Sequence, residues 1–423
     1  MLTPKELRDW GEDASVQRRD AWETLLLELD ARVSLTQTQY DGLNARYESI
    51  GSILEDPVDP ELGEIIVIPQ GSFATRTVTK PPECDDVDVD AVAYIKGGTA
   101  LTPMTLHQHL FDELDARART GGEVKPYNRC VRIQYNDASL PCHLDVTPAE
   151  RRPGNTNDDG SGLLRVPDRK LSNWSPSNPV DVAAWFNAIA EAELTLRLPE
   201  SYRNWVIAKR GETQPLPSHE EITAPNGLRV AVRLMKRHRD VYAERTGRQK
   251  SKPISVIITT LAAKAYAKVA TRYAGRPLSP LDLIEAVVRE MPNGFDSPSA
   301  AERYRLLNPR DGGENFAEKW NEDPARPATF YDWHEALQQT LRYGYLNFPS
   351  KERFRRELAD AFGTSAGRAC DDYFASIGDG TYPGLSPAAA NAARVAGTSA
   401  ALIGLGRQEP TRAAEPEPLD RLG

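Results

Sequence analysis

Residues 65–95 read IIVIPQGSFATRTVTKPPECDDVDVDAVAYI, and the reading of the whole chain starts from them. The apolar run Ile65-Ile66-Val67-Ile68 has the length and composition of a short buried strand. Pro69, Gln70, Gly71 and Ser72 interrupt it, and polar residues continue through Thr75, Arg76, Thr77 and Thr79. Val87 to Ile95 reads as a second strand, in which Asp88 and Asp90 alternate with Val87, Val89 and Ala91. Side chains on a strand point to opposite faces with period two, so the two aspartates share one face and the three apolar residues the other.

Two carboxylates side by side repel, and no basic residue separates them; the pair calls for a cation. Hard oxygen ligands suit Mg²⁺, which usually takes one or two carboxylates together with substrate phosphates. The Gly71-Ser72 turn just upstream offers backbone N–H groups and a hydroxyl, both suited to a phosphate. Taken alone, DVDVD is equally well read as an edge strand with its acidic face in water. The turn at this distance shifts the balance toward a site.

Gly71-Ser72, Thr77 and then Asp88-Val89-Asp90 resemble the signature of the DNA polymerase β-type nucleotidyltransferases. The resemblance implies that the Gly71-Ser72 turn, with Gln70 and Thr77 beside it, holds the triphosphate of an incoming nucleotide. It implies that Asp88 and Asp90 bind a pair of Mg²⁺ ions, for which Mn²⁺ can substitute, and that a later strand supplies a third carboxylate.

A strand over Arg129 to Tyr135, a turn at Asn136-Asp137-Ala138-Ser139 and a returning strand over Leu140 to Val146 bring Asp145 into view. In two-metal chemistry one ion activates the attacking oxygen and the other steadies the leaving group. Asp145, on a hairpin ending in Asp-x-x-Pro, matches the family pattern for the extra carboxylate. Asp137 is the alternative, although a tight turn explains it without any function.

The chain has 423 residues, 40% of them hydrophobic, enough for a sizeable core and for more than one lobe. Its net charge of −9 and its pI near 5.4 argue against a protein that grips long nucleic acid by its phosphates. Small nucleotides held locally with metal stay open. The four cysteines, Cys84, Cys130, Cys142 and Cys370, make no zinc spacing, and the six histidines make no metal-ligand spacing. No signal peptide or long apolar run is present, so the expectation is a cytoplasmic protein without a membrane partner.

Helical spacing recurs at Trp22, Leu25, Leu26 and Leu29, from Thr36 to Leu54, and from Thr102-Pro103 to about Thr120. Residues 151–162 read as a polar loop, and the following segment as a loop packing Trp174 before Asn178-Pro179 opens a helix. Leu228 to Tyr242 is an amphipathic helix carrying the basic turn Lys236-Arg237-His238-Arg239. Such a turn is ordinarily a solvated face; in an acidic chain it could instead cradle a triphosphate.

Together, VPDR…W…SNP…WF, LMKRHRD and KPISVIITTLAA resemble the bacterial cGAS/DncV-like nucleotidyltransferases, enzymes of CBASS anti-phage defence, over Leu35 to Gly363. The resemblance implies an α/β (α+β) fold: a polymerase β-like nucleotidyltransferase lobe with a mixed sheet, and a helical C-terminal lobe, with the active site in the cleft between them. By position it places Lys236 and Ser255 on the nucleotide phosphates and leaves Arg237 and His238 without a role. The expected division is residues 1–185 for the N-terminal helices and nucleotidyltransferase core, 186–388 for the helical lobe and 389–423 for a flexible tail. The implied reaction joins ribonucleoside triphosphates, ATP among them, into a cyclic di- or trinucleotide that a separate effector reads. Rival readings are a transferase of the same fold acting on an RNA, protein or small molecule, and a non-catalytic nucleotide sensor. Some relatives are joined to other molecules through their C-terminal residue, which makes the tail and Gly423 a candidate for a regulatory or conjugation partner.

Overall fold

The computed structural model describes residues 4–82, 86–117, 123–136, 141–192, 194, 196–199, 226–346 and 351–376. Helices α1 (Pro4–Val33) and α2 (Gln37–Glu55) come first. Thr36 ends the gap between them with a capping box: its hydroxyl accepts from Gln39 N, and the Gln39 side chain accepts from Thr36 N. Strand β1 (Ile65–Gln70), the short α3 (Gly71–Ala74) and β2 (Val87–Ile95) follow, then α4 (Pro103–Arg117), β3 (Val124–Pro126), β4 (Val131–Tyr135) and β5 (Cys142–Arg151).

These strands form a mixed sheet in the order β1-β2-β5-β4-β3. β2 and β5 lie side by side in parallel, with Asp88 opposite His143 and Asp90 opposite Asp145. The other pairings are antiparallel, β1 on β2 and β4 on both β5 and β3.

The period-two alternation of β2 decides what each face does. Val87, Val89, Ala91, Ala93 and Ile95 are buried against Leu43, Ile50 and Leu54 of α2 and Leu106, Leu110 and Leu114 of α4. The opposite face starts with Asp88 and Asp90 and ends with Val92 and Tyr94, which pack with Ala149, Leu164 and Val166. One face of a single strand is thus acidic and open at its start and apolar and covered at its end.

The segment expected to be a loop around Trp174 is instead a hairpin, β6 (Leu164–Asp168) and β7 (Asn173–Ser177), with β6 added to the end of β5. Pro167 and Pro176 hide it from pattern reading, since proline is tolerated in strands chiefly at sheet edges. The Arg165 guanidinium lies 4.3 Å above the Trp174 ring.

The helical lobe comprises α5 (Pro179–Ala190), α6 (Gly227–Thr246), α7 (Ser255–Arg272), α8 (Pro280–Glu290), α9 (Ala325–Leu346), α10 (Lys351–Phe362) and α11 (Thr364–Ser376), with a small hairpin, β8 (Leu307–Asn308) and β9 (Asp311–Asn315), between α8 and α9. Trp22, Leu25, Leu26, Leu29 and Val33 of α1 are buried in this helical core with Trp333, Phe354 and Phe374. A boundary at residue 185 therefore separates α1 from the helices it packs on and cuts through α5. Among the described residues no helix is long and apolar enough to cross a membrane. Cys84, Asp137 and residues 389–423, including Gly423, lie outside the described residues.

Helix α6 is buried around almost its whole circumference, although it carries Arg229, Arg233, Lys236, Arg237, His238 and Arg239. A buried cation must be paired or hydrogen-bonded. Arg233 meets Asp30 of α1 in a two-pronged pair, Nε–Oδ1 and Nη2–Oδ2 both 2.7 Å, and donates from Nη1 to the carbonyl of Arg76. Replacing Arg233 by Ala strands a buried carboxylate, at a cost of about 3–5 kcal/mol. Thermal melts should show a fall of several degrees, largely restored in Asp30→Leu/Arg233→Met. If the single variant melts like the wild type, the pair is not structural.

Candidate active site

The two predicted aspartates meet the predicted turn through the pairing of β1 with β2. Gln70 at the end of β1 lies opposite Asp90. Gly71 follows in the left-handed region at φ +61°, and a Cβ built there would fall 2.2 Å from Asp90 Oδ2. Close approach of the Asp90 carboxylate to the backbone thus requires glycine at this position. Thr77 N donates to Ser72 O at 2.8 Å, and the Thr75 and Thr77 hydroxyls are 2.8 Å apart, so the turn is fixed by its own residues.

A cavity of about 430 Å³ opens beside this turn. Gln70, Gly71, Ser72, Thr77, Asp88, Asp90, Lys236 and Ser255 all line it. Eight of the nine site residues expected from sequence therefore share one wall system. Asp145, the ninth, is not among the lining residues. It lies behind Asp90 in the register of β2 and β5, and Arg132 grips both its oxygens at 2.7 Å.

The carboxylates are nonetheless close enough to act on one another. Burial, and then the charges of Asp88 and Asp145, push the Asp90 carboxyl up to about 7. Ligand atoms of Asp88, His143 and Asp145 all fall within 4.8 Å of one another. His143 Nε2 is 3.1 Å from Asp88 Oδ1. Burial works against the charged imidazole, but Asp88 holds it above the usual histidine range. His143 was invisible to sequence spacing because parallel pairing, not a local motif, delivers it. A crowded acidic group fits a divalent cation, and Asp88, Asp145 and His143, with Asp90 beside them, are the side chains that could hold one.

The basic turn of α6 is not a solvated face. Its members diverge. Lys236 Nζ donates to the carbonyl of Thr77 at 2.9 Å. Burial, with Arg239 nearby, pushes its ammonium down to about 8. Arg237 donates to Lys80 O, and His238 accepts from Trp333 Nε1 inside the helical lobe. Arg239 grips Asp240 and donates to Pro253 O and to the Ser255 hydroxyl, while Lys252 Nζ also reaches Asp240 at 2.7 Å. Arg239, named in sequence only as part of the basic turn, lines the cavity, as do Asp240 and Lys252, which were not singled out from sequence. A cavity lined by three cations, a hydroxyl-bearing turn and an acidic strand can take a polyphosphate and a metal together.

The fold and this site define a nucleotidyltransferase of two lobes with an acidic strand at their junction. Residues 66–148 match the family model described as cyclic GMP-AMP synthase DncV-like, nucleotidyltransferase domain. The chain is 29% identical over 308 residues to a c-di-GMP synthase of Roseivirga ehrenbergii, spanning 71% of this chain and 74% of that protein. Its fold is similar to that of the Bradyrhizobium diazoefficiens CD-NTase CdnG, solved in complex with GTP, at a TM-score of 0.65 and 21% identity, covering 84% of this chain and 99% of that one. CdnC of E. coli MS115-1, solved in complex with HORMA-deltaN, is similar at a TM-score of 0.55 and 14% identity, over 81% and 96% of the two chains.

Proposed function

We propose that this chain is a Mg²⁺-dependent synthase that joins ribonucleoside triphosphates into a cyclic di- or trinucleotide. A ribose hydroxyl of one nucleotide attacks the α-phosphate of another, and pyrophosphate leaves. The observation that carries the reading is the meeting of Asp88 and Asp90 with Ser72, Lys236, Arg239 and Lys252 on the wall of one cavity. The relative from Roseivirga ehrenbergii, named for a cyclic dinucleotide product, supports it.

In this reading Asp88 and Asp90 hold a pair of cations and Asp145 contributes to one of them. Bound Mg²⁺ would supply charge neutralisation at the phosphates and lower the pKa of the attacking hydroxyl. Gly71 and Ser72 receive the triphosphate on backbone N–H groups and a hydroxyl, with Gln70 and Thr77 shaping the turn. Lys236, Arg239 and Lys252 oppose its charge, and Ser255 adds a hydroxyl. Catalysis of this kind is mostly positioning and electrostatic stabilisation. The product would serve as a signal read by a separate effector in anti-phage defence, the setting of the family.

Purified protein incubated with α-labelled ATP, GTP, CTP and UTP and Mg²⁺, followed by phosphatase and mass spectrometry, tests this. A phosphatase-resistant cyclic product formed without any acceptor is expected. Label recovered only on an added RNA, protein or small molecule would replace cyclisation by transfer.

A further inference from the structure

The cavity wall includes a carboxylate that the phosphate and metal chemistry does not use. Glu314 sits on β9 and lines the cavity with Asn308 and Phe316, while Trp185 comes from α5. The charges acting on it most strongly are Arg129, Asp311 and Glu318, none of them from the aspartate and lysine group of the phosphate wall. Asn308 Nδ2 donates to Glu314 Oε2 at 2.7 Å, and among the described residues no donor is paired with Oε1. Burial pushes the carboxyl above the usual glutamate range, as expected of a carboxylate still short of donors.

The hairpin that carries Glu314 is anchored, not free. Arg152 Nη1 pairs with Asp311 Oδ2 at 2.7 Å, and Asn178 Nδ2 donates to Arg310 O at 3.2 Å. Asn178 also caps α5, so one residue ties the hairpin to the helix bearing Trp185. Glu314 is therefore an anchored acceptor on a cavity wall that it shares with Trp185 and Phe316, with capacity for a ligand donor.

We propose that Glu314, oriented by Asn308, reads the Watson–Crick edge of a guanine base, making guanosine triphosphate a preferred substrate. The inference rests on the nucleotide reading of the cavity given above. An ionised carboxylate is acceptor-only. Guanine places N1–H and N2–H₂ side by side on that edge, two donors for one carboxylate. Adenine and cytosine each pair one donor with a ring acceptor there, which a carboxylate repels, and uracil offers a single N–H between two carbonyls. A site built around a half-buried acceptor discriminates against a base that leaves it unpaired. Phe316 and Trp185 supply the flat apolar surfaces on which a base stacks.

Titration calorimetry with the non-hydrolysable α,β-methylene analogues of GTP, ITP and ATP in Mg²⁺, on wild type and Glu314→Gln, tests the proposal. The wild type is expected to bind the guanosine analogue at least about tenfold more tightly than the adenosine analogue, the scale of a lost charge-assisted hydrogen bond. Inosine, which lacks the 2-amino group, should fall between them. Glu314→Gln presents one acceptor and one donor, the complement of adenine, so it should lose the guanosine preference and gain affinity for the adenosine analogue. A wild type that binds all three alike, or adenosine best, overturns the guanine assignment and leaves the triphosphate site standing. A Glu314→Gln protein with an unchanged melting curve that keeps the guanosine preference overturns it as well. Binding of none of the three overturns the nucleotide reading itself, and this inference with it.

Discussion

Asp90→Asn is expected to cut product formation by at least ~10³-fold, about 4 kcal/mol of barrier, while the metal-free protein melts no lower than wild type above pH 7. The two halves of this result have one cause. Asp90 is crowded by burial, Asp88 and Asp145, which push its carboxyl up to about 7. An ordinary aspartate in the unfolded chain titrates near 3.9. Below that value both states are protonated and the group is neutral in the balance. Between about 4 and 7 the unfolded chain gives up the proton and the folded one keeps it, so stability falls as pH rises. Above 7 the folded protein carries the whole penalty of a third adjacent negative charge. Asparagine has the same shape and removes that penalty, so melts at pH 8 should show an equal or higher melting temperature, with little difference at pH 4. It also removes a proposed ligand for the cations and so the proposed basis of the reaction. Rates of pyrophosphate release, measured beside the melts, decide the matter. Activity within tenfold of wild type would take Asp90 out of the chemistry. A markedly lower melting point at pH 8 would mean that Asp90 is a structural acceptor.

What could be read from sequence, and what could not, divides along the range of the interactions. The span Val87–Ile95 is the same in sequence and structure because alternation of Asp88 and Asp90 with valine and alanine is a local signal with a local consequence. The start of α2 was equally legible, since a capping box is complete within Thr36 to Gln39. Asp145 was reached by motif, but its grip by Arg132 depends on the register of β4 against β5. His143 needed the parallel pairing of β2 with β5, and nothing local announces a partner that the chain reaches only after α4 and two more strands.

The basic turn shows the limit most clearly. Asn187, Arg233, Lys236 and Arg237 donate to the carbonyls of Ala74, Arg76, Thr77 and Lys80 respectively. The helical lobe thus laces down the segment that follows the Gly71-Ser72 turn, with most of these partners over 150 positions apart in the chain. From sequence, KRHR offers only charge; which backbone carbonyls await those cations is a property of the assembled lobes. The same fact gives α6 its double part. It satisfies the free carbonyls of an irregular segment, and it sets Lys236 and Arg239 on the cavity wall beside the turn that the segment supports.

Gly71→Ala puts the same junction under a sharper test. At φ +61° an alanine pays about 1–2 kcal/mol for a left-handed backbone, and its Cβ would stand 2.2 Å from Asp90 Oδ2. Contact at that distance is not sustainable, so either the turn or the Asp90 carboxylate must move. Both carry the proposed chemistry, and a displacement on the order of 1 Å at a reacting centre costs about 10²-fold in rate. Gly63 separates the two effects. It has nearly the same backbone, φ +64°, with nothing within 4 Å of where a Cβ would stand. Gly63→Ala should therefore lose stability to a similar backbone cost and keep its activity. Gly71→Ala should lose the ~10²-fold in rate as well, and its affinity for a non-hydrolysable triphosphate should weaken in parallel. Rates, triphosphate affinities and melting temperatures of the two variants, measured together, make the comparison. If Gly71→Ala proves no more impaired than Gly63→Ala, the close approach of Asp90 to the turn is not what the reaction depends on. The Gly71-Ser72 turn would then be tied to the acidic strand only by the pairing of β1 with β2.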